Sequence, residues 1–400
     1  MEQANSSNKK WLIAIIVFAM YVSFGMSWMS VIPIRKEILE ALAIDAPKYA
    51  VIISSISLAK SVFPIIAGIL ATKIGISNTL RLSSLLISLG IITPWLPDYY
   101  EWIVSRFLFG VGGAMWVTLM GAVTMQIFEP EKRPVINSIN GIAVNLGVVI
   151  ALWYTNVLSA SFGWKTTMSM YSIVSIVLAV LFWAMGQIGP VPQKNTNNEN
   201  KEVKTEDEFT YFSTLKLPVT WLISVAFTGP LALYLVFNTW LPIYYEETLQ
   251  ISKLTTLNYI IMMNVWGIPS AVITGLLIQK IKKCKPFLIL ASILLPIVSF
   301  YSVKTSDASI LPFTLALTGV GMFLSVSPLT TLLQNQPKMN PKIIGMILGT
   351  MFSVTYIISS AVPSIVGYFY ALKYDLGSIL AFCSLIALSP AVALKLSENK

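Results

Sequence analysis

Gly68-Ile-Leu-Ala-Thr72-Lys73-Ile74 and, 207 positions later, Gly275-Leu-Leu-Ile-Gln279-Lys280-Ile281 follow one pattern: a glycine, three apolar residues, a polar residue, a lysine and an isoleucine. Each stretch stands where a long apolar block gives way to a short polar break. A second pair, Gly110-Val-Gly112 and Gly319-Val-Gly321, recurs at an offset of 209. Glycine and leucine are common in membrane helices, so one such match carries little. Two matches at nearly the same offset point to a unit duplicated within the chain.

The blocks around these stretches set the fold class. Of the 400 residues 56% are hydrophobic and 11% charged, against about 25% charged in soluble domains, and mean hydropathy is +0.74. The apolar residues gather into twelve blocks, about 11–33, 49–72, 79–97, 102–128, 135–159, 166–186, 219–244, 256–279, 286–303, 310–333, 343–370 and 377–395. A bilayer span needs roughly 20 such residues. None of the blocks alternates as a barrel strand of roughly 10 residues does. The expected fold is therefore an all-α polytopic membrane protein with twelve transmembrane helices in two pseudo-symmetric six-helix halves. The first block is too long for a secretory signal core and no small-residue cleavage site follows it, so it is read as helix 1. The polar run Gln193-Lys-Asn-Thr-Asn-Asn-Glu-Asn-Lys-Glu202 lacks hydrophobic periodicity. The expected division is an N-terminal half over 1–190, a cytoplasmic linker over 191–218 and a C-terminal half over 219–400.

The formal charge of +9 reports topology rather than a nucleic-acid partner. With the N-terminus inside, 18 of the 27 Lys and Arg fall in inside segments and 7 in outside loops, while Lys60 and Arg106 lie within helices. This positive-inside bias places both termini in the cytoplasm of an integral protein of the cell membrane. The chain has no histidine, which removes histidine metal sites, histidine proton relays and a Ser-His-Asp set. Its two cysteines, Cys284 and Cys383, imply no disulfide framework. With no phosphate-binding Walker loop and no metal-spaced cluster, neither an enzyme, a cofactor, a metal nor direct use of ATP is expected.

Gly68-Ile-Leu-Ala-Thr72-Lys73-Ile-Gly75 resembles the signature of the major facilitator superfamily between helices 2 and 3, G-x-L-(A/S)-D-(R/K)-x-G-(R/K)-(R/K). Arg106-Phe-Leu-Phe-Gly110-Val-Gly112-Gly113 resembles the family's helix 4 motif, and Gly163-Trp164-Lys165 the Gly-Trp-Arg before helix 6. Asn238-Thr-Trp240-Leu-Pro242 is a further echo at the end of helix 7. The resemblance implies a secondary transporter that works by alternating access. Gly68, Thr72, Lys73 and Gly75, with Gly275 and Lys280 in the second half, would form the conformational loops. Two departures stand out. Thr72 replaces the signature's Asp and Ile76-Ser77 its basic pair, so the charge-paired latch attributed to that loop should be weaker or differently made. Helix 5, around Asn140-Gly141 and Asn145-Leu-Gly147, lacks the Gly-Pro pattern of drug/proton antiporters.

A charged side chain within a span is costly and a functional candidate by default. Lys60 lies eleven residues after Tyr49 and thirteen before Lys73, roughly 16 to 20 Å from either end of helix 2. Its stem reaches only about 6 Å, so it must face a cavity or a partner. No helix centre carries a carboxylate. A buried ammonium then either gives up its proton or is met by an arriving anion, which amounts to a binding site. Arg106, nearer a helix end, is either a bidentate substrate contact or a structural arginine tied to neighbouring backbone. Tyr21, Trp28, Asn145, Tyr234, Asn238, Asn264, Trp266 and Tyr356 lie at comparable depth and complete the candidate substrate site, although each serves equally well as interhelical glue.

The expected function is transport of a small anionic or zwitterionic organic solute by a monomer in the lipid bilayer. Coupling through a buried carboxylate is disfavoured. An exporter of hydrophobic or cationic compounds and a non-transporting membrane receptor or assembly partner are the alternatives.

Overall fold

The computed structural model describes residues 2–185, 188, 210–307 and 309–398. Most of the expected linker, 191–209, lies outside them. The described residues form helices and no strands. Among the described residues twelve helices are long and apolar enough to span a bilayer: α1 Lys9–Met29, α2 Val51–Ile74, α3 Ile76–Trp95, α4 Tyr99–Ile127, α5 Arg133–Phe162, α6 Trp164–Ala184, α7 Pro218–Thr248, α8 Lys253–Ile281, α9 Lys285–Lys304, α10 Leu311–Gln334, α11 Pro341–Ala371 and α12 Leu376–Lys395. The hydropathy reading thus holds span for span, and the protein is integral to the membrane.

Local chemistry explains where the helices start and bend. Asp98 accepts from the backbone N–H of Tyr100 and Glu101 at the start of α4, and Asp375 accepts from Ser378 N at the start of α12. α10 breaks at Ser325. Pro328, three residues on, has no N–H to give the Leu324 carbonyl. Pro230 likewise leaves the Ala226 carbonyl without its helical donor, and the Ser389 hydroxyl supplies one at 3.1 Å. Gly75 joins α2 to α3 at φ +86, a conformation that favours glycine. Lys282, 207 positions later, makes the matching junction between α8 and α9 at φ +59.

The chain gathers into two compact units. The first comprises Met1–Phe128, Ala151–Trp221 and Lys338–Ser353. Here α4 is the packing centre. A Cβ on Gly110 would lie 2.9 Å from the Ile56 Cα of α2, and one on Gly112 would lie 2.8 Å from the Ser83 carbonyl oxygen of α3. The Ser83 hydroxyl donates to the Gly112 carbonyl across that approach at 2.6 Å. Gly68 meets the backbone of Gly345 and Met346 at the start of α11, and Gly349, one turn on, meets Pro64.

The second unit comprises Glu129–Ile150, Leu222–Pro337 and Val354–Lys400. It repeats these approaches. Gly319 abuts Met263, which lies 207 positions after Ile56, and Gly321 abuts Leu295, which lies 208 after Ile87, the α3 residue that Gly112 also touches. Gly275 abuts Ser138, just as Gly68 abuts Gly345, and 345 is again 207 beyond 138. The duplication visible in the sequence is therefore also a duplication of contacts. The start of α5 is further tied to α10 by Asn137 Nδ2, which donates to Thr331 Oγ1 at 3.1 Å and to Gln334 Oε1 at 2.8 Å.

Filling either glycine notch should cost roughly 1–3 kcal/mol through overpacking. Gly110→Val and Gly319→Val should each lower the thermal midpoint of the detergent-purified protein by several degrees. Leu58→Val, on an exposed apolar face, should leave it almost unchanged.

Candidate functional site

Tyr21, Phe24 and Trp28 are spaced three and four apart, so they share one face of α1. Tyr21 stacks on Phe24 at 5.5 Å between centroids, and Phe24 stacks on Phe109 of α4 at 4.6 Å. Gly113 makes room for that pair, since a Cβ there would enter the Phe24 ring. Lys60 of α2 extends onto this aromatic face and is wholly buried. Its Nζ lies 3.9 Å from the Trp28 ring centroid, 5.1 Å from that of Phe24 and 5.9 Å from that of Tyr21. Ring faces attract cations, by about 2 kcal/mol each when water is excluded. Pro64, four residues after Lys60, removes the N–H that an unbroken helix would give the Lys60 carbonyl.

The Arg106 Cζ lies 5.6 Å from the centroid of Phe109, the ring that stacks on Phe24. It is buried, and its Nη1 and Nη2 donate to the Ser27 and Trp28 carbonyls at 3.0 and 2.7 Å. These are carbonyls of the last turn of α1, where about half a negative charge accumulates. Of the two readings the sequence left open, this geometry is the structural one for both terminal nitrogens.

The remaining predicted residues lie in the second unit. Tyr234 donates to Asn145 Oδ1 at 3.2 Å, Asn238 Nδ2 to the Tyr234 carbonyl at 2.8 Å, and Asn264 Nδ2 to Asn238 Oδ1 at 3.0 Å. Three helices, α5, α7 and α8, thus contribute to one amide and phenol cluster. Tyr356, on α11, is half-buried. Trp266 does not join it. It is 49% exposed and lies on the apolar face of Ile273 and Leu277, opposite Asn264.

In the loops, Lys73 and Lys280 are exposed at the ends of α2 and α8. Thr72 donates to the Ile69 carbonyl of its own helix at 2.7 Å. Ser77, standing where the signature carries a basic residue, is buried. It accepts from Ile188 N at 2.6 Å and donates to the Ile188 carbonyl at 3.3 Å, and Gln126 Nε2 donates to the same carbonyl at 2.9 Å. Uncharged hydrogen bonds thus occupy this loop. Phe24 and Phe109 were not singled out from the sequence. The 21-24-28 spacing was the signal that could have found Phe24, while nothing local marks Phe109. Among the described residues no group of His, Cys, Asp or Glu is placed to hold a metal.

If Arg106 secures the end of α1, Arg106→Lys should be destabilising, because a shorter lysine lacks the planar fork that aims two fixed N–H groups at neighbouring carbonyls. Leaving one carbonyl unmet costs about 1–3 kcal/mol. Thermal denaturation should show the loss, and a variant as stable as wild type would assign the guanidinium another role.

A model of the Major Facilitator Superfamily matches residues 17–363. The nitrite extrusion protein of Bacillus subtilis (strain 168) is 25% identical over 231 residues, covering 57% of this chain and 49% of that protein. The hexuronate transporter of the same organism is 22% identical over 229 residues, covering 55% of this chain and 53% of that protein. The chain thus matches about half the length of each of these relatives. The solved structure of the E. coli fucose:proton symporter FucP superposes with a TM-score of 0.73 at 15% identity, over 96% of this chain and all of that one, which is a likeness of fold. With a family match over most of its length, twelve spans and the duplicated glycine contacts, the chain belongs to the Major Facilitator Superfamily of membrane transporters, which are not enzymes.

Proposed function

We propose that this transporter carries a small anionic or zwitterionic solute by alternating access, with Lys60 as its principal charge contact. The observation that carries the reading is a wholly buried lysine ammonium near the middle of α2, lying on aromatic faces. Holding such a charge away from water costs several kcal/mol, which a bound anion offsets. The names of the relatives agree in sign, since nitrite and hexuronate are both anions. The cluster of Asn145, Tyr234, Asn238 and Asn264 suits uncharged polar groups of a solute by the same chemistry. The acidic residues lie in tails, loops or helix edges. Uniport, exchange, or symport in which the solute brings its own proton fits that distribution best. The rest of the proposal is a monomer without a nucleic-acid partner, in two six-helix halves joined by a cytoplasmic linker at 191–218, with both termini in the cytoplasm.

A thermal-shift screen of the purified protein against carboxylates, inorganic anions, amino acids and cationic dyes tests the substrate sign. Bound ligand stabilises with the logarithm of its concentration over Kd. An anion should stabilise wild type and not Lys60→Ala. Stabilisation by cations or dyes alone, unchanged in the variant, would replace the anion reading with an exporter of cationic compounds.

Orientation is tested by cysteine labelling in intact cells. Both native thiols are buried, and burial with the nearby Glu398 carboxylate pushes Cys284 up to about 12, so neither competes near neutral pH. A membrane-impermeant maleimide should label Lys304→Cys and spare Lys283→Cys. The reverse pattern would invert the topology.

A further inference from the structure

The hydrogen bonds of the amide cluster in the second unit fix which way its amides face and which of their atoms are left over. Asn264 Nδ2 donates to the Ile260 carbonyl at 2.8 Å and to Asn238 Oδ1 at 3.0 Å. A backbone carbonyl can only accept, so the Asn264 atom that faces it is the nitrogen, and both of its hydrogens are in use. Asn238 is fixed in the same way, because its Nδ2 donates to the Tyr234 carbonyl at 2.8 Å. This leaves Asn264 with Oδ1, a pure acceptor, and Asn238 with one N–H, and among the described residues no hydrogen bond reaches either. Asn145 is buried and its Oδ1 accepts from the Tyr234 hydroxyl at 3.2 Å, which leaves its two N–H groups. These atoms lie at mid-depth. Asn264 is eleven residues after the start of α8, Asn145 twelve after that of α5 and Asn238 ten before the end of α7, roughly 15 to 18 Å in. Asn264 also faces away from Trp266 and the exposed apolar side of its helix. Interhelical glue accounts for the bonds that are made, and not for an acceptor and three donors held at the same place without partners.

We propose that this cluster is a subsite for hydroxyl groups of the solute, in which a hydroxyl donates to Asn264 Oδ1 and hydroxyl oxygens accept from the N–H groups of Asn238 and Asn145. This rests on the reading of the chain as a solute carrier and takes nothing from Lys60. It adds a substrate class, hydroxylated compounds, and makes Asn264 a specificity-determining residue. The choice follows from the mixture of an acceptor with donors. A carboxylate only accepts, and would set an oxygen against Asn264 Oδ1. An ammonium only donates, and would face the N–H groups of Asn238 and Asn145. A hydroxyl does both. It offers the same donor and acceptors as a water molecule, so it can take the place of water there without losing a hydrogen bond. A solute without hydroxyls displaces that water and leaves the amide atoms unpaired, and sites built to bond a hydroxyl reject the analogue that lacks it.

The test compares solutes of equal carbon number on the full-length protein, by thermal shift in glycerol-free detergent and by counterflow in proteoliposomes. The pairs are gluconate with hexanoate, glycerate with propionate and serine with alanine, and xylitol serves as an uncharged polyol. In each pair that wild type binds, the hydroxylated member should bind about tenfold more tightly or better. Asn264→Ala should abolish that preference and Asn145→Ala should reduce it. Lys60→Ala should weaken both acids of a pair alike. A variant that fails to fold loses both members of a pair together, so a folding defect is distinct from a lost preference, and the wild-type pairs decide the case without it. Matched solutes bound equally by wild type, or a preference that survives Asn264→Ala, would overturn the inference. If Lys60→Ala still weakens the acids in those cases, the charge reading stands alone. Xylitol bound while every acid is ignored would uphold the hydroxyl subsite and remove the charge reading. No binding of any of these solutes by wild type would overturn both.

Discussion

At Gly110, Gly112 and Gly113, α4 presents hydrogen where any other residue would present at least a methyl group, and its neighbours close onto that surface. Ile56 of α2, Ser83 and Ile87 of α3, and the Phe24 ring of α1 all occupy space that a Cβ would claim. In a bilayer, helix association gains little from excluding water and depends on close van der Waals contact. The glycine surface is thus what seats Phe24 against Phe109, and that stack is the floor on which Lys60 rests. Gly319 and Gly321 perform the same service in the second unit, with partners displaced by nearly the same interval.

The electrostatics of the first unit follow from this packing. Burying a lysine at mid-span is expensive, and three ring faces lie against this one. Three cation–π contacts offset part of the cost without cancelling the positive charge. Arg106 is handled differently, because its fork finds two carbonyls in the negative end of α1 and its charge serves to hold that helix end in place.

The loops show where the chain departs from its family. The resemblance implied a charge-paired latch, yet Thr72 bonds back to its own helix and Ser77 exchanges bonds with Ile188. At the start of α5, Asn137 is held by Thr331 and Gln334, again without charge. Contacts of this kind depend little on pH or ionic strength, since they contain no titrating group and no net charge to screen. Where the signature carries an Asp and a basic pair, this chain thus has uncharged hydrogen bonds at Thr72 and Ser77.

The twelve spans and the internal repeat were legible in the sequence because hydropathy over some twenty residues is a property of the segment itself, whatever it packs against. The depth of Lys60 was legible for a similar reason, since helical rise converts a residue count into a distance. Which neighbour a side chain meets is not a local property. Helical spacing puts Tyr21, Phe24 and Trp28 on one face without saying that Lys60 lies across from it. It offers two roles for Arg106 without showing that the partners are the carbonyls of Ser27 and Trp28. It left Trp266 among the site candidates, although the rotation of α8 turns that ring to the exposed apolar face. The sequence alone determined the number, length and repetition of the helices, which depend on interactions within a segment and with lipid. Only the tertiary structure decided which side chains meet, because that depends on how closely helices approach and how each is rotated, and the glycine notches that set those approaches act through contacts between residues far apart in the chain.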